Sequence, residues 1–366
     1  MEPSKVGAQH ISLIEGYLTA LSESKKIASN YNLVLSASKL TIQTLPRALT
    51  KYYKCIPVLV MNPEKRRLVL KTLVELAVVV RYVYGLKKGD ILFISCLLPT
   101  TLWLLEMANR YILKKEGIRV VLHGELEGLF AKETLSIFRL GYWSVKWLNT
   151  RSRKSLISLV VLDDFIRDKI LSAFPNKIDE HRITVIHHPI STDALENNSP
   201  STSLSVCFIG YRTKFKSFDS FVEIAKKYTD VEFLAIGGGV VENVRSRVVT
   251  ELETKDDYIL EISKCSMALF PYTFGYSCSL SASALDALAA GVYIVAHPEP
   301  FFENLSEYFG NEIVKICQSE KEMGREFQES SLRNRASKNS VRLRKVAKSK
   351  YGLSAVRDSF EKMLKI

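Results

Sequence analysis

Hydroxyl residues cluster in Ser277-Cys278-Ser279-Leu280-Ser281, and a run of small residues from Ala282 to Ala290 follows them before a stop at Gly291. Little bulk at the opening of a helix suits a phosphate, because the first turn presents unpaired N–H groups and a partial positive charge. Asp286 comes one to two turns later, where a carboxylate could take the hydroxyls of a ribose. The same serines also read as an ordinary hydroxyl cap on a helix. A second group follows the apolar run Leu204–Ile209. There Gly210 lets a ligand approach the backbone, and Arg212 and Lys216 are cations that could clamp a diphosphate. Its bland alternative is a solvated basic turn before a helix. A third group, His123-Gly124-Glu125, ends the run Arg119–Leu122. An imidazole there could contact a sugar hydroxyl or a leaving phosphate, or it is a hydrogen-bonded loop histidine. Glu125 is the nearby carboxylate placed to orient an acceptor.

Each group needs a strand end to hold it, and the sequence supplies one. Strand-like runs at 32–36, 56–61, 90–96, 119–123, 156–162 and 183–186 alternate with amphipathic segments such as 63–84 and 101–115. After a polar connection rich in Pro and Ser (188–203) the alternation restarts at 204–209, 231–236, 266–270 and 293–296. This is the βαβ signature of parallel sheets covered on both faces, whose ligands bind at the carboxyl ends of the strands. Two doubly wound α/β domains facing a cleft are therefore expected. The first spans 1–190 and the second 191–345, and a C-terminal helical segment, 346–366, packs back toward the first. The basic stretch Arg333–Lys350 reads as a solvated helix, and Leu353–Ile366 as a packed amphipathic one.

The 366 residues, 47% hydrophobic and 25% charged, specify a globular chain. No uninterrupted apolar leader opens it, and the longest apolar stretches are broken by Lys71, Glu75 and Arg81 or by Pro99, Glu106 and Arg110. The six cysteines are scattered and none has ligand spacing, which points to free thiols in a reducing, cytoplasmic compartment and to no structural zinc. Asp163-Asp164 follows a strand and reads as a helix cap rather than as a metal pair. The net charge of +12 is uneven: residues 1–200 hold 28 Lys and Arg against 18 Asp and Glu. That half faces something anionic, either nucleic acid or a membrane surface. No nucleic-acid-binding motif is present, so nucleic acid is the weaker choice. The aromatic and cationic residues of Phe138–Lys154, among them Tyr142, Trp143, Trp147, Arg151, Arg153 and Lys154, suit a membrane interface or a partly buried helix.

The order of the groups in the second half resembles the nucleotide-binding domain of the GT-B glycosyltransferases, in particular their large retaining group. Gly210 to Ser217 sits where that family has G-R-x-x-x-x-K-G. The resemblance therefore gives Lys216 the diphosphate, with Tyr211 in place of the family arginine and Arg212 beside it. Val231 to Gly239 resembles the second strand and its Gly-rich turn, which brings in Gly238. Leu285 to Gly291 resembles the family's acidic helix, with Asp286 in the place of the ribose-binding Glu. His181 to Ile190 is similar to the interdomain segment. Tyr272, Ser279 and Ser281 join the donor residues of the loop. His10 resembles a first-loop residue that approaches the donor and, with Glu125, is assigned to the acceptor side. One departure stands out, since Cys278 occupies a position where the family often carries a second carboxylate.

The resemblance implies a metal-independent, cofactor-free hexosyltransferase. It would pass a sugar from a nucleotide-diphosphate donor to a saccharide or lipid-linked acceptor in surface polysaccharide assembly. The charge asymmetry adds peripheral contact with an anionic membrane surface at its inner face, and the lack of a binding motif leaves no nucleic-acid partner. An inactive sugar-nucleotide-binding homologue and a basic nucleic-acid-binding protein are the alternatives.

Overall fold

The computed structural model describes residues 1, 11–60, 68–129, 140–150, 155–190, 204–210, 212, 214–237, 248–249, 255–273, 275–327 and 330–365. The chain divides into two compact units, Met1–Pro189 with Leu353–Ile366, and Ile190–Gly352. The helix Ser330–Tyr351 runs unbroken past residue 345, so the division falls at Gly352 instead of at 345.

In the first unit, β1 (Val34–Ala37) pairs in parallel with β2 (Lys54–Pro57). A separate parallel sheet runs in chain order through β3 (Leu92–Ile94), β4 (Ile118–Leu122), β5 (Ile157–Val161) and β6 (Ile183–Val185). Every residue of β5 is buried, as a strand covered on both faces requires. The helix Ile11–Glu23 turns Leu13, Ile14, Tyr17 and Leu18 inward. Its Tyr17 hydroxyl donates to Ile186 O at 3.0 Å, and its ring meets Phe360 of the helix Leu353–Leu364 edge-on at 5.2 Å. The C-terminal amphipathic helix is thus packed, with Val356 and Phe360 buried.

The second unit carries one parallel sheet, ordered β12-β11-β10-β7-β8-β9. Its strands are β7 (Ser205–Ile209), β8 (Glu232–Ile236), β9 (Val248–Val249), β10 (Met267–Phe270), β11 (Tyr293–Ala296) and β12 (Val314–Ile316). The winding reverses between β7 and β10, the switch point at which a doubly wound sheet opens to a ligand. Both strands there are fully buried.

Two expectations are corrected, and a third, open between an interfacial and a partly buried helix, takes the second form. The strand expected at 56–61 forms earlier, as β2, with the buried Tyr53 just before it. The helix expected over 101–115 is α-helical only over Pro99–Ala108 and ends in a π-turn, Asn109–Leu113. There the buried Asn109 side chain exchanges two 2.9 Å hydrogen bonds with the backbone of Lys115, and the chain leaves through Lys114 at φ 51°. The aromatic stripe of the helix Leu140–Thr150 is packed: Trp147 is buried, and Trp143 lies 5.1 Å from Trp103. Phe138, Arg139, Arg151, Arg153 and Lys154 lie outside the described residues. Among those described, no helix is long and apolar enough to cross a membrane.

Candidate functional site

The site forms at the switch point of the second unit. The buried strand β7 delivers Gly210 at φ 98°, and β8 delivers Gly237 at φ 89°. These are left-handed conformations that side chains disfavour. A Cβ on Gly237 would stand 3.3 Å from Gly210 Cα, so the two strand ends approach closely. A Cβ on Gly210 would meet Lys216 Nζ and Ser283 Oγ, each at 2.7 Å. The glycine therefore leaves the space in which an ammonium and a hydroxyl converge.

Lys216 reaches that point from the 3₁₀ turn Lys214–Lys216, which follows β7. Thr273 N donates to Phe215 O at 3.3 Å, and the Ser217 and Thr273 hydroxyls pair at 3.1 Å, which ties the turn to the loop after β10. Lys216 Nζ donates to Ser283 Oγ at 3.1 Å and stands 5.4 Å from the centre of the Tyr272 ring. Burial pushes its pKa down to about 8, and the Asp286 carboxylate opposes that fall. This is a cation held short of full hydration, which is favourable for meeting an anion.

The helix Ala282–Ala290 opens beside it. Ser281 is its N-cap, its hydroxyl accepting from Ala284 N at 3.4 Å, and Gly291 closes it at φ 75°. The capping reading of Ser281 therefore holds, and the capped end still aims its first-turn N–H groups and its dipole toward the Lys216 side. Ser279 is buried and donates to Gly275 O at 3.1 Å, which fixes the loop. Cys278 is fully buried, so no functional side chain reaches out from that position. Tyr272 is also fully buried, stacked on Tyr276 at 4.9 Å, and forms a floor beneath Lys216. Burial raises its hydroxyl pKa well above the usual value, and the neighbouring Ser281 and Ser283 hydroxyls offset part of the rise. Arg212 lays its guanidinium over the Phe218 ring at 4.3 Å. Asp286 is half-buried, one turn into the helix. Tyr211 and Gly238 lie outside the described residues.

The residue that sequence reasoning passed over is Ser283. Its only signal was a hydroxyl two positions after the cap, on the turn that faces the Gly210 end of β7.

In the first unit, His123 ends β4 and its Nε2 lies 2.7 Å from Ser95 O, past the end of β3. A carbonyl only accepts, so Nε2 carries a proton and the loop reading of this histidine has direct support. The backbone of Glu125 lies in the 3₁₀ turn Gly124–Leu129; its side chain and all of His10 lie outside the described residues. Asp163 caps the helix Asp164–Ala173, accepting from Phe165 N at 3.4 Å, as the sequence indicated. Asp164 pairs with Arg167 at 3.2 Å and with His187 Nε2 at 3.4 Å. The ligand atoms of Asp163, Asp164 and His187 lie within 4.8 Å of one another, and these capping and ion-pair contacts account for the two carboxylates.

Comparison with solved structures gives the class of fold. HepE of Anabaena, crystallised with UDP-glucose, superposes with a TM-score of 0.68 at 12% identity, covering 100% of this chain and 99% of that one. WaaG, a glycosyltransferase involved in lipopolysaccharide biosynthesis, superposes at 0.66 and 12% identity over 99% and 97% of the two chains. TarM superposes at 0.58 and 17% identity over 80% of this chain, which spans 58% of the TarM chain. The fold is that of the GT-B glycosyltransferases, with Rossmann-like parallel sheets. No family model and no curated protein matches the sequence.

Proposed function

We propose that the protein is a metal-independent glycosyltransferase that moves a hexose from a nucleoside-diphosphate sugar to a saccharide or lipid-linked saccharide. The observation that carries this reading is the convergence of Lys216 Nζ and Ser283 Oγ over Gly210, at the switch point of a GT-B fold and beside a helix N-terminus. A diphosphate leaving group gains one negative charge, spread over its terminal phosphate oxygens, as the glycosidic bond breaks. A preorganised ammonium and first-turn N–H groups stabilise that charge where it develops. Asp286 would accept from the ribose hydroxyls. His123, with Lys216 and Arg212, is assigned a catalytic role toward a sugar hydroxyl or the leaving phosphate, and His10 and Glu125 are assigned to the acceptor. Surface polysaccharide assembly at the inner face of a membrane is the setting proposed, from the basic excess of residues 1–200 and from likeness in fold to WaaG, a glycosyltransferase involved in lipopolysaccharide biosynthesis. Retention of anomeric configuration follows the family resemblance.

A second reading, a sugar-nucleotide-binding homologue without turnover, is favoured by the burial of Cys278 where the resembled family often carries a carboxylate. One paired experiment separates them. Thermal shift against UDP, GDP, TDP and their sugars identifies the donor, since a ligand raises the melting temperature only if it binds the folded chain. Release of the nucleoside diphosphate from that donor is then measured with and without saccharide acceptors. Binding without release selects the second reading, and no shift with any nucleotide refutes both.

A further inference from the structure

The helix Leu68–Gly85 in the first unit is amphipathic in the reverse of the usual sense. Its buried face holds Lys71, Thr72 and Glu75 together with Val79 and Val83. Glu75 accepts from Leu98 N at 3.1 Å and from the Thr101 hydroxyl at 2.8 Å, with Lys71 3.7 Å away. Thr72 pairs with Thr100 at 2.7 Å. Its polar side chains are thus used inside the unit. Its apolar ones point out: Val69 is 76% exposed, Leu70 41%, Leu73 55% and Tyr84 76%. At about 100° per residue these four, with Leu76, Ala77 and Val80 between them, fall within an arc of roughly 120°. The patch continues at its C-terminal end, where Lys115 Nζ donates to Leu86 O at 2.8 Å and so brings up the π-turn that exposes Tyr111 and Ile112.

The charge around this face is predominantly positive. From Lys65 to Lys88 the sequence holds seven Lys and Arg and a single acid, Glu75, which is buried. Arg81 borders the apolar arc, and Lys87, Lys88 and Lys114 are exposed at the end near Tyr84. A convex apolar stripe edged mainly by cations, with the exposed acids Asp90 and Glu116 confined to its C-terminal end, has the chemistry of a helix lying in the headgroup region of an anionic bilayer. A protein partner would leave these cations in need of matching acids, whereas an anionic leaflet supplies them everywhere.

We infer that the exposed face of the helix Leu68–Gly85 is the surface by which this protein docks on an anionic lipid membrane. This rests on the proposed peripheral membrane setting and relocates it from the Phe138–Lys154 segment, whose Trp147 is buried. Leu73, Val69 and Tyr84 enter the acyl boundary, and Arg81, Lys87 and Lys88 meet lipid phosphates.

The test is flotation of the full chain with vesicles of equal parts phosphatidylglycerol and phosphatidylcholine, against phosphatidylcholine alone, at low and high salt. The wild type should float with the anionic vesicles only and be released by salt. A Val69→Ser, Leu73→Ser, Tyr84→Ser variant should lose at least tenfold in partitioning, while circular dichroism and its melting temperature stay those of the folded chain. A second variant, Arg81→Gln with Lys87→Gln and Lys88→Gln, should lose about fivefold for each cation that reaches the leaflet. If the wild type floats and both variants float equally well, the inference is overturned and the membrane setting survives. If the wild type ignores anionic vesicles, both fall. Self-association that the serine variant abolishes, without vesicle binding, also overturns it, in favour of a second copy.

Discussion

The ammonium of Lys216 and the hydroxyl of Ser283 lie 3.1 Å apart across the mouth of β7, although 67 positions separate them in the chain. That distance joins the two halves of the candidate donor site. One half is a turn held by a strand end; the other is the first turn of a helix. The hydroxyl gives the ammonium a fixed direction.

Lys216→Ala is expected to abolish transfer with the fold intact. Loss of a charge-assisted contact to the departing diphosphate costs on the order of 3 kcal/mol of transition-state stabilisation, more than a hundredfold in rate. Turnover with the identified donor, alongside a melting curve, gives the measurement, and a rate within a few-fold of wild type would remove Lys216 from the mechanism.

The depressed pKa of Lys216 sets a pH dependence whose sign can be worked out. Between about 8 and the ordinary lysine value of 10.5, the folded chain binds fewer protons than the unfolded one. The penalty of burying the ammonium is therefore complete below about 8 and is relieved as pH rises toward the unfolded value. Donor binding runs the other way, since the diphosphate needs the ammonium. Nucleoside diphosphate affinity should fall as pH rises beyond about 8, and titration calorimetry should show that fall flattened in Lys216→Met.

Ser283→Ala should weaken nucleoside diphosphate binding several-fold through a less directed ammonium, at roughly 1 kcal/mol for one lost hydrogen bond. Its melting temperature should move little, because the helix keeps its cap at Ser281. A structural serine would show the opposite pattern, a lower melting temperature with unchanged affinity.

Asp286→Asn separates two roles. If the carboxylate accepts from ribose, affinity drops; because it also opposes the fall in the Lys216 pKa, the pH above which affinity declines should move lower. An unchanged profile and affinity would make Asp286 a structural residue and place the sequence resemblance out of register.

Much of this arrangement was legible in the sequence. Strands β5, β7, β10 and β11 were evident because chains buried on both faces read as continuous apolar runs, and the position of Asp163 as a cap followed from a strand ending in an acid. What escaped is set by long-range packing. The two-residue β9 and three-residue β12 carry too few side chains to announce a period. Trp147 suited an interface and a partly buried helix alike, because composition does not tell which way a helix faces. The helix Leu68–Gly85 was legible as amphipathic, but not the face it buries, where Lys71, Thr72 and Glu75 lie beside Val79 and Val83. Ser283 acquires its partner from a segment 67 positions away, and no local pattern encodes that meeting.

The buried pair Lys71–Glu75 has a consequence for the helix that carries it. To hide Leu73 and Val69 the helix would have to roll about its own axis, and the roll would pull Glu75 from Leu98 N and Thr101, leaving those donors without their acceptor. The ion pair thus acts as a rotational lock that keeps the oily stripe on the outside. Polar groups share the inward face with Val79 and Val83, and the other apolar side chains are left on display. A chain in which Lys71 and Glu75 were both replaced by leucine would be released from that constraint, free to turn its apolar stripe inward.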